Sequence, residues 1–341
     1  MNIDLFNFDL PSSFIAQHPK EERDSCKLLI YNRKTKQITH SIFKDIINYI
    51  SPGDLLVLNN TEVIPTRLFG KKETGGKIEI FLVEKIAPNI YKALTKGKLK
   101  EKTIATLKNG IQAQIYKKGA ESIVHFDYKG DFDEILNEIG EVPLPPYIKR
   151  NYQSYNRRKD MLYYQTIFAR KKGAIAAPTA GLHFTKNLLS KIIKKGTNIT
   201  YITLHVGIGT FKPIKEKSVE KHKMFSEYFE IEEKTAKLFN ETKRKQKKIF
   251  ACGTTTVRAL ESNITEQGIL KNGKGSTNLF IYPGYKFKSI DALITNFHLP
   301  KSTLLLFVSA FAGREEILHC YKEAIKRKYM FYSFGDAMLI L

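Results

Sequence analysis

Four short segments of the 341-residue chain place histidines or hydroxyls among small residues, each just past an apolar run that reads as a strand. They are AAPTAGLHF at 176–184, TLHVGIGTF at 203–211, GTTTVR at 253–258 and TNFHLPKST at 295–303. Small residues let a ligand approach the backbone, and the polar groups orient it. Imidazoles are the side chains that move protons near neutral pH, which makes His183, His205 and His298 candidate acids or bases. Any one of them alone reads better as a satisfied structural histidine, but three at strand ends point to a shared cleft. Gly253 opens a Thr-rich helix start where free backbone N–H groups can hold an anion or a carboxylate, with Arg258 close by. Ordinary N-capping by Thr254 or Thr255 is the competing reading. Gly207 and Gly209 lack the third glycine of a dinucleotide fingerprint and run into Pro213 instead of a helix. His222 and Glu227 frame a further polar stretch before a YFEI strand. The histidines form no H-x-x-x-H pair, so the sequence gives a metal site little support.

These segments need a layered scaffold, and the hydrophobic period supplies one. From Thr61 to about Gly130 the chain runs in short alternating stretches such as KIEIFLVEKI, IQAQIY and SIVHFDYKG, separated by turn signals. Asn109-Gly110 is the strongest hairpin signal. Closely spaced strands without a helix must close to hide their edges, so a small barrel-like insert is expected. Beyond VPLPP at 142–146 the pattern becomes strand and helix in alternation. GAIAAP, ITYITLHV, IFAC and DALITNF read as strands. Helices are expected from Thr185 as N-cap to Gly196, from about Glu232 into the basic run at 243–248, from Thr254 to Ser262, and at the tail, where Ile317, Tyr321 and Ala324 share a face. LLIYN and LLVLN in the first 58 residues read as core strands. The fold class expected is therefore an α/β main domain, residues 1–60 and 148–341, with an all-β barrel-like domain, 61–147, inserted near the N-terminus.

Fifty-six Lys and Arg against 34 Asp and Glu leave a formal charge of +22, the footprint of a protein that meets phosphate. Basic clusters at 157–159 and 170–172 interleave with Tyr147, Tyr152, Tyr155, Tyr163 and Tyr164, and cations beside aromatics suit an unstacked base and its backbone. Cys26, Cys252 and Cys320 are scattered and form no C-x-x-C, which implies reduced thiols and a cytoplasmic protein. The opening MNIDLFNFDL carries acids in place of a basic leader, and the longest apolar stretch, 304–312, falls short of the ~18 residues that span a bilayer. No membrane partner is expected.

In order along nearly the whole chain, NNTEVIPTRLFG, TGGKIEIFLVE, VPLPPYIKR, YQTIFA, AAPTAGLHF, TLHVGIGTF, CGTTTVRALES, IYPGYKF, LITNFHLPKSTLLLFVSAFAG and SFGDAMLI resemble the S-adenosylmethionine:tRNA ribosyltransferase-isomerase family of queuosine biosynthesis. The resemblance implies that the chain transfers and isomerises the ribosyl part of S-adenosylmethionine onto the aminomethyl group of 7-aminomethyl-7-deazaguanine in a tRNA anticodon. The product would be epoxyqueuosine-tRNA, with adenine and methionine released. S-adenosylmethionine is then a co-substrate, no metal or other cofactor is required, and a monomer is the simplest assembly. The sulfonium acidifies the C5′ protons and makes methionine a leaving group, so the protein must supply a base, protonate the departing adenine and exclude water.

By chemistry and position, His183, His205, His298, Asp336 and Glu227 are the candidate catalytic residues, with Asp336 orienting a histidine. Thr179, Gly181, Gly207, Gly209, Thr210, Gly253, Thr254, Thr255 and Arg258 are candidates for substrate contact. Asn296, Lys301, Arg67, Tyr164 and Gln165 join them at the mouth, with Asn59 and Tyr147. Five positions depart from the family pattern: Glu62, Met161, Leu162, Phe225 and Met330. Arg to Met removes a bidentate anion donor and His to Phe removes a titratable group. Two other readings follow: a catalytically impaired relative that only binds tRNA, and an S-adenosylmethionine-dependent RNA methyltransferase, whose usual glycine-rich loop after the first core strand is not seen.

Overall fold

The structure is a computed structural model and describes residues 1–150, 156–207, 209, 214 and 216–341. Its strands and helices in chain order begin with β1 (Lys27–Tyr31), β2 (Ile38–Ile42), β3 (Leu55–Asn59) and β4 (Thr61–Val63). Six strands follow: β5 (Arg67–Lys72), β6 (Lys77–Ala87), β7 (Ile90–Lys96), β8 (Lys102–Leu107), β9 (Gln112–Lys118) and β10 (Glu121–Asp127). After α1 (Phe132–Ile139) and α2 (Arg157–Tyr163) come β11 (Lys171–Ala174), α3 (Lys186–Lys194), β12 (Asn198–Leu204), β13 (Glu227–Ile231) and α4 (Glu233–Arg244). The chain ends with β14 (Ile249–Cys252), α5 (Thr254–Ser262), β15 (Gly273–Thr277), β16 (Ala292–Asn296), α6 (Thr303–Ala312), α7 (Arg314–Lys326) and β17 (Ala337–Ile340).

Strands β5 to β10 close into an antiparallel barrel in the order β10-β7-β6-β5-β8-β9. Alternation along each strand turns Leu68, Ile78, Ile80, Ala93, Ala105, Ile115 and Val124 into its core. Asn109 and Gly110 both carry positive φ, 61° and 78°, and join β8 to β9 in the tight turn that their types favour. A helix that the alternating pattern gives no sign of, α1, caps the barrel with Phe132, Leu136 and Ile139. Its Asp131 N-cap accepts from the Asp133 amide, and it buries three apolar positions at helical spacing.

Nine of the remaining eleven strands form one sheet, β15-β13-β12-β3-β14-β16-β17-β1-β2, and β4 and β11 pair separately. Central strands β3, β14, β16 and β17 are buried at every residue, as expected of strands covered on both faces. Alternate residues divide between two cores. Leu55, Val57, Ile249 and Ala251 pack with α5, α6 and α7, whereas Leu56, Leu58, Phe250 and Cys252 pack with α3 and the short helix Phe43–Tyr49. Helix α3 starts at the expected N-cap, where the Thr185 hydroxyl accepts from the Leu188 amide. GAIAAP departs from expectation, since only its first two residues belong to a strand. Short β11 pairs with β4 instead of joining the large sheet, and Ile175, Ala176 and Ala177 continue as buried irregular chain toward the strand ends.

Strand direction decides what can meet. Strands β12, β3, β14 and β16 are mutually parallel, so their C-terminal ends lie along one edge. Antiparallel β17 sets Ala337 opposite Asn296, and antiparallel β13 begins at Glu227, so both start on that same edge. Ligands bind at such an edge in open α/β sheets.

Candidate active site at the strand-end rim

Three of the four segments singled out by residue type converge on two small adjoining cavities at this edge. The first, of about 70 Å³, is lined by Tyr147, Tyr164, Thr179, Asn296, His298 and Tyr332, with Ser302, Leu304 and Ser333 among the remaining residues. The second, of about 20 Å³, is lined by Thr254, Thr255 and Arg258 with Met224, Leu279, Phe280 and Ile281. Leu304, at the start of α6, lines both.

Asn296 is the hub of the first cavity. Its amide nitrogen donates to the Tyr332 carbonyl at 3.1 Å and to His183 Nε2 at 3.0 Å, and its carbonyl oxygen accepts from the Thr179 hydroxyl at 3.2 Å. The carbonyl partner fixes which end of the amide is nitrogen, and that in turn fixes the imidazole. Nε2 accepts, so the His183 proton sits on Nδ1 and points at Cys26 Sγ, 3.1 Å away. Burial drops this imidazole to about 4. His183 is thus a neutral buried group, fully partnered, standing behind Asn296. His298 lies in the cavity wall with Nε2 2.9 Å from the Thr295 hydroxyl, and burial lowers it to about 3. The Tyr164 hydroxyl is fully buried beside Ser333 and the Ala177 backbone, and burial raises it well above the ordinary tyrosine range.

Around the second cavity, Gly253 takes φ +87° and ψ 148°, a conformation open to glycine, and turns the chain from β14 directly into α5. Gly253 offers that helix start no capping side chain, and the first helical residues, Thr254 and Thr255, line the cavity. Arg258 does not reach out to a ligand. Its Nε donates to the Leu279 carbonyl, its Nη2 to the Thr277 carbonyl, and its Nη1 pairs with buried Glu227. The other Glu227 oxygen accepts from the Gly207 amide at 2.7 Å. The pair thereby ties β13, α5 and the loop after β12 together.

The other expected residues fall elsewhere. His205 is the third histidine of the edge, held by the Thr61 hydroxyl at 2.8 Å from Nδ1 and stacked on Tyr228 at 5.3 Å, with burial lowering it below its ordinary value. It lines neither cavity. Asp336 orients no histidine: its two oxygens accept from the Lys27 and Met330 amides, both at 2.7 Å. Gly181 is needed for packing, because a side chain there would run into Phe168 and Thr166. Gly209 lies against the Phe225 ring in the same way. Lys301 pairs with Asp4 at 2.7 Å. Gln165 grips Val63 at both its amide and carbonyl, and Asn59 holds Thr61 and Leu204 while meeting the Thr255 hydroxyl at 3.3 Å. Arg67 pairs with Glu79 in a separate groove on the barrel. Thr210, Tyr152 and Tyr155 lie outside the described residues.

Two of the cations expected at RNA are engaged internally, Arg157 with the Gly140 and Asn137 carbonyls and Lys171 with Glu230 and Glu232. Tyr332 and Ser333 were not singled out by residue type. Tyr332 adopts φ +71°, gives its carbonyl to Asn296 and stacks near Tyr147, whose hydroxyl meets Ser333 Oγ at 2.8 Å. The five departures from the family pattern, Glu62, Met161, Leu162, Phe225 and Met330, line neither rim cavity.

Comparison with known proteins matches the chain along nearly its whole length. The model of the queuosine biosynthesis protein family matches residues 3–340. The chain belongs to that family. Curated relatives named S-adenosylmethionine:tRNA ribosyltransferase-isomerase are 50% identical in Halothermothrix orenii and in a Sulfurihydrogenibium species, each alignment covering 100% of both chains. A third, from a Thermoanaerobacter species, is 49% identical over 98% of each. A crystal structure of S-adenosylmethionine tRNA ribosyltransferase from Thermotoga maritima, 36% identical, matches 99% of this chain and 100% of its own with a TM-score of 0.56. Among the described residues, no helix is long and apolar enough to cross a membrane, and no three metal-ligating side chains gather.

Proposed function

We propose that this chain transfers and isomerises the ribosyl group of S-adenosylmethionine onto the aminomethyl group of 7-aminomethyl-7-deazaguanine in a tRNA anticodon, releasing adenine and methionine, in the cytoplasm. Half-identity along the full length to relatives named for this reaction carries the reading. The catalytic domain in this reading is 1–60 with 148–341, and 61–147 is its barrel insert.

Each rim group has a role matched to its surroundings. The uncapped start of α5 takes the methionine carboxylate on backbone N–H groups, because the Arg258 donors are already committed. His298 is the proton-transfer group, as the histidine that faces the cavity. That imidazole is neutral and has a lone pair for the acidified C5′ proton, and the burial that lowers it to about 3 is relieved when the loops part for the substrate. Tyr164 and Thr179 contact the nucleoside. His183, Glu227 and Asp336 hold Asn296, Gly207 and the turn before β17 in place.

Chromatography of a reaction with S-adenosylmethionine and tRNA carrying the precursor base tests the reading. Adenine is expected only when both substrates are present. Persistent tRNA binding without adenine would indicate the impaired relative, and S-adenosylhomocysteine would indicate a methyltransferase.

A further inference from the structure

An opening larger than the two rim cavities lies on the barrel side of the rim. It is a groove of about 560 Å³ between the barrel strands β5 to β7 and the proline-rich segment at 142–150. Its size lies within the range of pockets that bury a nucleotide-sized ligand, roughly 300–1,000 Å³, whereas the rim cavities do not. Its walls are half-buried Phe81 and Leu94 on one side and prolines on the other. Lys96 and Lys149 stand exposed at its borders. Arg67, Lys96, Lys149 and Arg150 line the groove against Glu79, and with Asp160 paired to Arg150 and Glu141 beside Arg67 the balance stays positive.

The proline-rich segment is also the wall between groove and rim. Pro146 and Ile148 line the groove, while Tyr147 between them lines the rim cavity and bonds Ser333. Proline stiffness and the Gln17 side chain, which donates to the Tyr147 carbonyl and accepts from the Lys149 amide, hold that wall in register.

We propose that this groove binds the RNA strand adjoining the modified nucleotide: phosphates lie on Lys96 and Lys149, a flanking base rests on the apolar wall, and the target base passes Tyr147 into the rim. The assignment rests on the ribosyl-transfer reading for its substrate, but its test does not require turnover. Apolar walls with cations at the border are the pattern of single-stranded RNA sites.

The test compares Lys96→Glu combined with Lys149→Glu against Lys245→Glu combined with Lys248→Glu. The latter pair lies beside the start of β14, at the opposite edge of the sheet, and all four lysines are exposed. The tRNA Kd is measured by filter binding across a salt series, with S-adenosylmethionine binding measured by dialysis. The groove pair is expected to raise the tRNA Kd at least tenfold and flatten its salt dependence, since each lost phosphate contact removes about 0.7–0.9 from the logarithmic slope. The control pair is expected to change Kd less than twofold, and S-adenosylmethionine binding is expected to hold in both. An unchanged Kd in the groove pair, or an equal loss in the control pair, overturns the proposal. Absence of adenine from the wild type, with these shifts intact, would overturn the reaction reading alone.

Discussion

At the scale of single residues, the rim is built from polar side chains that spend their hydrogen bonds on the protein. Arg258 is the clearest case. Removing one partner of a buried ion pair leaves an uncompensated charge, so Arg258→Ala is expected to cost about 3–5 kcal/mol in urea unfolding. A loss under 1 kcal/mol would show that the pair with Glu227 does not tie the second cavity together. The histidines make a pH prediction. His183 has an ordinary value of 6.5 and a folded value of about 4, so between those values the unfolded chain binds the extra proton. Stability is therefore full above pH 6.5 and falls as pH drops toward 4, by roughly 3 kcal/mol from His183 alone. His298 adds in the same direction and extends the loss to about pH 3. Unfolding free energies at pH 7 and 4.5 should show this decline, and His183→Gln should flatten it. Equal pH slopes in wild type and variant would contradict the burial of a neutral imidazole.

At the scale of elements, much of the framework was legible because local chemistry and tertiary packing agree. Asn109-Gly110 turns where its types predict, Thr185 caps α3, and helix 254–262 has the expected limits. Helix α1 was not legible, since its apolar positions matter only once a barrel end exists to be covered. GAIAAP was misread because Ala and Ile suit a buried irregular segment as well as a strand. The hydroxyls and histidines of the rim were legible as a group, but their division into cavity wall and support was not. That division depends on which neighbour each side chain meets, as Asp336 shows by choosing two backbone amides over an imidazole. Tyr332 carried no signal, because a positive φ at a tyrosine is imposed by its surroundings. The turn from β14 into α5 yields a prediction at this scale. Gly253→Ala forces a side chain into a glycine conformation and should cost about 1–3 kcal/mol. Gly207→Ala, at a glycine without positive φ whose added Cβ would meet Glu227 only at 3.6 Å, should cost less. Equal losses would mean that the β14–α5 turn is not strained by a Cβ.

At the scale of the whole molecule, a mixed sheet with a parallel centre gathers loops from distant parts of the sequence at one edge, and a barrel beside it adds a basic groove. The rim cavities, about 70 and 20 Å³, are smaller than S-adenosylmethionine requires, so binding has to part the loops that line them. Amide hydrogen exchange in residues 176–183 and 298–303 is therefore expected to change when S-adenosylmethionine is added and to stay constant when adenosine-free buffer is added. Exchange altered only on the barrel would place that substrate elsewhere. The central claim, that this chain moves a ribosyl group and not a methyl group, has a direct measurement. S-adenosylmethionine is labelled in separate preparations at the ribose carbons and at the methyl carbon, each is incubated with tRNA carrying the precursor base, and the tRNA is recovered and counted. The account predicts ribose label in the tRNA and methyl label in free methionine; methyl label in the tRNA would contradict it.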